Sequence, residues 1–286
     1  MYHNLLRSTL LCTAITIILA ACGAPTPTPV PATEQPIATE AIPTTTEIAS
    51  TNTLEPTATP SAPSWTYVAF GDSWPYGAHC NGCRPFPVLY ADGLAATTDH
   101  RIDFVNLTTN GGTSQSLLTS IQTSEKTREA VKSADIIIIA TGGNDLGPAF
   151  DAYAAGTCGG ADKLDCFRKV AESLRTSFDG ILTEIEGLRN GQPTAIRLVT
   201  GSNEFLADPG LIELFGADFG KTSGVSVTQM NRDVQCEVAA KHNAKCVDLG
   251  LALNGPDLLH PQDVNTQQAM QAVADAILAS GLDELR

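Results

Sequence analysis

Ile136, Ile137, Ile138 and Ile139 follow one another without a polar break. Successive side chains of a strand point to opposite faces, so this run has no face to give to water. It fits a strand covered on both sides, the pattern of a parallel sheet between two layers of helices. Asp135 precedes the run and Thr141-Gly142-Gly143 ends it. Four further β-prone runs, at residues 65–70, 102–107, 195–200 and 245–249, make five. Helical patterns separate them. Phe167, Val170, Ala171, Leu174, Phe178, Ile181, Leu182 and Ile185 recur at steps of three and four, and Asn190-Gly191 with Pro193 beyond stops the helix. Val227, Met230, Val234 and Val238 form a second stripe, and Ala269, Met270, Val273 and Ile277 a third. This alternation predicts one α/β domain over residues 65–286, a three-layer α/β/α sandwich around a five-stranded parallel sheet. Ligands of such sheets bind beyond the carboxyl ends of the strands, near a topological switch point.

The chain before that domain has a different composition. Arg7, an apolar stretch over residues 10–19 and the closing Leu19-Ala20-Ala21-Cys22 resemble a bacterial lipoprotein signal. The resemblance implies removal of residues 1–21 and lipid on the sulfur and new amino terminus of Cys22. An ordinary secretory signal and an uncleaved anchor are the rival readings. From Gly23 to Ser64 the chain is rich in Thr, Pro, Ala and Glu and has no lysine or arginine. Large apolar side chains are too few there to offset the entropy of ordering, so residues 22–64 read as an extended, disordered tether. More than one acyl chain would hold the protein stably on a membrane. Nothing else in the sequence reaches for one. After the amino terminus no apolar stretch approaches the roughly 20 residues needed to cross a bilayer. Seventeen basic against thirty-one acidic residues, a formal charge of −14, leave no electrostatic footprint for nucleic acid or an anionic membrane surface. The expected location is extracytoplasmic, at the cell surface or in the periplasm, with the membrane reached through the lipid alone.

Six cysteines remain inside the domain, as the close pairs Cys80/Cys83, Cys158/Cys166 and Cys236/Cys246. An even count in an exported domain argues for disulfides; fifteen connectivities are possible and local pairing is the simplest. Cys80-x-x-Cys83 beside His79 also has the form of half a zinc site or a redox pair, but no second half is present. No metal is expected.

The unusual residues sit where strands end. Gly71-Asp72-Ser73-Trp74 follows the first strand, Asn110-Gly111-Gly112 the second and Gly142-Gly143-Asn144-Asp145 the third. Asp257-Leu258-Leu259-His260-Pro261 follows the fifth, before the last helix. In this order the four blocks resemble the SGNH hydrolases, the GDSL esterase/lipase family, and the resemblance covers essentially all of residues 65–286. It implies a flavodoxin-like α/β fold and a Ser-His-Asp triad of Ser73, His260 and Asp257. It also implies an oxyanion hole built from Ser73, Gly111 and Asn144. The secreted, disulfide-containing bacterial branch is the most similar, and there too a cysteine pair follows the asparagine block, as Cys158 and Cys166 do here. That branch often bonds a cysteine near the glycine block, where this chain has Thr109, so the first bridge is expected between Cys80 and Cys83. Trp74 replaces the usual aliphatic residue after the serine.

The residue types make chemical sense independently. A serine hydroxyl attacks well only if a base takes its proton, and imidazole titrates near working pH. An acid can accept the other ring N–H, fixing the tautomer and stabilising the imidazolium. Backbone N–H groups of Ser73 and Gly111 and the Asn144 amide can meet the developing oxyanion. Asp145 is expected to hold the Asn144 loop. His79, His100 and His242 are the rival bases, and of these only Asp99-His100 has an acid at hand, on the wrong side of a strand. The expectation is an esterase or lipase acting through an acyl-Ser73 intermediate without metal or organic cofactor. Its substrate is a small-molecule ester, a lipid or an acylated glycan. A polysaccharide O-acetylesterase or acyltransferase is the rival within enzymes, and a noncatalytic surface-binding lipoprotein the rival outside them.

Overall fold

A computed structural model describes residues 62–285. Cys22, the signal stretch and the tether up to residue 61 lie outside the described residues. Five strands, β1 (Ser64–Gly71), β2 (Arg101–Thr108), β3 (Ile136–Ala140), β4 (Ala195–Val199) and β5 (Lys245–Val247), form one parallel sheet in the order β2-β1-β3-β4-β5. This is the flavodoxin-like order, with its switch point between β1 and β3. Gly71 pairs with both Thr108 and Ala140, so the first three strands end level.

In chain order the helices are α1 (Ser73–Tyr76), α2 (Phe86–Thr97), α3 (Ser114–Thr123), α4 (Glu125–Ser133), α5 (Gly147–Ala154), α6 (Asp165–Arg189), α7 (Pro209–Phe215), α8 (Ser223–Lys241), α9 (Leu249–Asn254) and α10 (Gln267–Ala279). Strand residues alternate between two cores. Tyr67, Ala69, Ile136 and Ile138 pack with α2 and α10, whereas Val68, Phe70, Ile137 and Ile139 pack with α4, α6 and α8. The isoleucine run is therefore buried on both faces, and each side chain contributes about 1.5–3 kcal/mol by leaving water. Helix α6 stops at Asn190 in the left-handed conformation, as the Asn-Gly pair predicts. The fifth strand is shorter than expected. Asp248 accepts a hydrogen bond from Leu251 N and caps α9, which takes Leu249, the last residue of the expected strand, into helix.

All three disulfides are local: Cys80–Cys83, Cys158–Cys166 and Cys236–Cys246. The second closes a small third core, in which Phe150, Phe167, Phe205, Phe215 and Phe219 pack edge to face or tilted. Opposite the sheet's carboxyl edge lies a buried ion pair that the sequence did not announce. Arg197 of β4, wholly enclosed, donates to Ser280 Oγ, Gly281 O and both Glu284 carboxylate oxygens, pinning the segment after α10.

Candidate active site

The turn that carries Ser73, the expected nucleophile, is built on the end of the sheet. Asp72 caps α1, which makes Ser73 the first helical residue at the switch point. The buried Asp72 carboxylate accepts from Trp74 N at 3.2 Å and from Gly143 N. Burial pushes its pKa up to about 6 against those donors, with Asp145 adding to the rise. Asp72 N donates to Ala140 O, and Thr109 N to Gly71 O, so the three strand ends are stitched together. Asn144 opens a short 3-10 turn, and its Nδ2 donates to Gly112 O at 2.8 Å. An amide nitrogen has two hydrogens, so one remains for a ligand. Asp145 accepts from Ser114 N at 3.0 Å and Ser114 Oγ at 2.6 Å, fixing the Asn144 loop to the start of α3 as expected. Gly111 has φ +77°, a left-handed conformation that suits glycine, and no described residue accepts its N–H.

His260 is held without help from a strand. It lies on the loop between α9 and α10, and its Nδ1 stands 3.0 Å from Asn254 O and 3.4 Å from Asp257 Oδ1. A carbonyl oxygen can only accept, so Nδ1 carries a hydrogen, and in the neutral ring that leaves the lone pair on Nε2. The nearest acceptor is thus a backbone carbonyl, with the expected Asp257 behind it. Below the loop lies a buried pair of asparagines. Asn254 Nδ2 donates to His260 O at 2.9 Å and its Oδ1 accepts from Asn203 N at 2.7 Å. Asn203 Nδ2 donates in turn to Leu258 O at 2.8 Å and Gly220 O at 2.9 Å. Gly255 has φ +77°, and a Cβ there would stand 2.5 Å from the ring nitrogen, so only glycine lets the imidazole pack on the helix end. The side chains of His260 and Asp257 are 70% and 55% exposed. Among the described residues no hydrogen bond joins Ser73 Oγ to the imidazole. Such bonds commonly tighten only when substrate binds.

A second tie brings the two halves together. Trp74 Nε1 donates to Val264 O at 2.9 Å, and its ring tilts against Phe86 at 5.4 Å. The residue that departs from the aliphatic pattern therefore clamps the His260 loop to the Ser73 turn. Ser73, Trp74, Asn144 and Val264 all line one cavity of about 510 Å³. His79 also lines it. The other rival bases are engaged elsewhere: His242 sits between Asp179 at 3.0 Å and Glu186 at 3.1 Å, and His100 stacks on Trp65 at 3.7 Å.

Residues 69–269 match the model of the GDSL-like lipase/acylhydrolase family. The chain belongs to that family. Solved structures agree on the fold. A lipase from a goat rumen metagenome superposes with a TM-score of 0.60 at 20% identity, covering 78% of this chain and all of its own. An extracellular lipase from Streptomyces rimosus gives 0.53 at 17% identity, and phospholipase A1 from Streptomyces albidoflavus NA297 gives 0.54 at 16%; each covers 76% of this chain and all of its own. No curated protein matches the sequence.

For this GDSL-like hydrolase, sequence reasoning found the strand-end blocks and missed what lies between them. Asn203 and Asn254 carried no pattern, because their value is a mutual tertiary contact. Glu204 was also missed. It lines the cavity, and burial raises its pKa to about 7, with Asp72 and Asp208 adding like charge. Its position just past β4, at a carboxyl strand end, was the available signal.

Proposed function

We propose that this member of the GDSL-like lipase/acylhydrolase family is an extracytoplasmic serine esterase working through an acyl-Ser73 intermediate. The tautomer of His260 carries the reading: its Nδ1–H is committed to a carbonyl, so Nε2 is free to act as base. Ser73 Oγ attacks the ester carbonyl carbon while Nε2 takes its proton. The tetrahedral oxyanion is met by the N–H groups of Ser73 and Gly111 and by the second Asn144 Nδ2 hydrogen. Collapse breaks the bond to the alcohol oxygen, which leaves with the proton from His260. Water then gives a proton to His260 and attacks the acyl carbon; the bond to Ser73 Oγ breaks, the serine takes the proton back from His260, and the acid is released. Asp257 supports the imidazolium electrostatically. Residues 1–21 are a lipoprotein signal, Cys22 the lipidated residue and residues 22–64 its tether. Three disulfides support export to an oxidising compartment. A mature mass lacking residues 1–21 and carrying acyl chains tests the anchor, and an unmodified membrane form rejects it.

The deciding experiment is fluorophosphonate labelling with ester turnover. Wild type should label once and lose activity, and a folded Ser73→Ala protein should neither label nor turn over ester. Turnover by Ser73→Ala at the wild-type rate would overturn the serine mechanism.

A further inference from the structure

The cavity beside Ser73 holds polar chemistry that ester hydrolysis does not use. Glu204 lines it, and among the described residues no cation or hydrogen-bond donor touches its carboxyl. Three more wall residues carry buried oxygens with no partner among the described residues: Thr141 Oγ1, Ser202 Oγ and Gln235 Oε1. Thr141 follows β3, Ser202 follows β4 and Gln235 comes from α8, so separate elements converge on one space. Six buried side-chain atoms lack partners among the described residues, and half of them belong to this wall. Folded proteins pair such atoms almost without exception, so their concentration in one cavity marks a place where something else supplies the bonds. Phe150 and Phe205 line the same cavity with apolar surface.

We propose that this cavity binds the hydroxylated ring of an acylated sugar or polyol, making esters of such rings, not long-chain lipid esters, the substrates of the enzyme. The inference rests on the Ser73 mechanism above. Hydroxyls donate and accept, as do the threonine, serine and glutamine on the wall, and the carbon face of a ring can lie on Phe150 or Phe205. A long acyl chain would cover Gln235 Oε1 and the Glu204 carboxyl and return no hydrogen bond. Charged groups fit less well. Asp72 is engaged by Trp74 N and Gly143 N, and Asp208 by Leu211 N, which leaves Glu204 as the one uncommitted carboxyl on this wall among the described residues. With its pKa raised to about 7, it is partly neutral at neutral pH, weak as a cation trap and able to donate as well as accept. An anionic group would meet carboxyls without a lysine or arginine on the wall.

The test uses the full chain in detergent and three acetate esters that share one acyl group: a 6-O-acetyl methyl glucoside, hexyl acetate and acetylcholine. The acetylated glycoside should have the highest kcat/KM, by about 100-fold over hexyl acetate, since sites built for hydroxyls reject analogues lacking them by up to about 10⁴–10⁵. In Gln235→Leu the glycoside-to-hexyl ratio should fall at least about tenfold, mainly through KM, because ring contacts are equal in ground and transition states. Preference for hexyl acetate or acetylcholine in wild type would overturn the proposal, whether or not the variant folds. So would an unchanged ratio in folded Gln235→Leu. Fluorophosphonate labelling is run alongside. Labelling with an alkyl preference brings down the ring proposal alone, whereas no labelling and no turnover brings down the Ser73 mechanism and the ring proposal with it.

Discussion

Around Ser73 the chain leans on the sheet. Asp72 N is bonded to the end of β3, Thr109 N to the end of β1, and Asp145 to the start of α3. Around His260 no strand takes part: the ring rests on the last carbonyl of α9, and two buried asparagines hold the loop from beneath. The proposed nucleophile and oxyanion donors thus inherit the rigidity of a packed core, while the proposed base depends on a handful of side-chain bonds. The difference says where this enzyme tolerates change and where it does not. It also says which losses will be chemical and which mechanical.

The largest effect should be purely chemical. His260→Ala removes the proposed base but deletes a side chain that is 70% exposed. The kcat for ester hydrolysis should fall by about 10⁴–10⁶-fold, because Ser73 loses the group that would take its proton. The melting temperature should stay close to wild type, since exposed truncations change stability little. A large drop in melting temperature would show that the ring helps hold the loop and would break the contrast.

Asn203→Ala should be mechanical. It strands the buried carbonyls of Gly220 and Leu258 and loosens the histidine loop, though Asn203 touches neither Ser73 nor His260. Two unpaired acceptors at about 1 kcal/mol or more apiece predict a loss of about 2–3 kcal/mol in urea unfolding. Slower acylation should accompany it, with KM nearly unchanged. If the variant is destabilised but acylates at the wild-type rate, the asparagine pair supports the fold alone.

That pair marks the limit of what the sequence discloses. The isoleucine run, the alternation of strands and helices and the placing of the four blocks after strands could be read directly, because each is a local pattern tied to backbone geometry. Cysteine spacing was legible for the same reason. Asn203 with Asn254, Trp74 with Val264, and Arg197 with Glu284 join residues 51, 190 and 87 positions apart. No local pattern encodes such contacts, since the intervening chain can bring any two residues together. Asp257 shows the same limit from the other side. Its spacing from His260 suited a partner, but the turn at Gly255 places a nearer acceptor on the ring.

Glu204 gives a smaller, pH-dependent effect on the sheet-borne half. Its folded pKa, about 7, lies above the ordinary 4.5, so the native state holds its proton longer than the unfolded chain does. Stability should therefore fall as pH rises from about 4.5 to about 7 and then level off, the reverse of a salt-bridged carboxylate. Since Glu204 is partly exposed, the expected decline is about 1–2 kcal/mol, below the full value for such a shift. Urea unfolding across that range should show this decline in wild type and lose it in Glu204→Gln. An identical pH profile in the variant would mean that the carboxyl is solvated and ordinary.

Asp257→Asn should have the smallest effect and is the sharpest test of how the base is held. If the carboxylate alone fixed the imidazole, its loss would cost up to about 10⁴-fold in kcat. Here Asn254 O accepts the Nδ1 hydrogen at 3.0 Å, while Asp257 Oδ1 lies at 3.4 Å and is more than half exposed. Pairs this open to solvent contribute about 0–1 kcal/mol. The second task of Asp257, accepting from Leu259 N at 3.1 Å, survives in asparagine. The tautomer should therefore persist, and kcat should fall by less than about tenfold, since 1.4 kcal/mol is one decade. Added salt should shrink even that difference, because it screens an exposed charge. A loss of about 10³-fold or more would mean that substrate binding moves the ring from the Asn254 carbonyl to Asp257. The base would then be fixed by a carboxylate during catalysis and by the helix end only at rest.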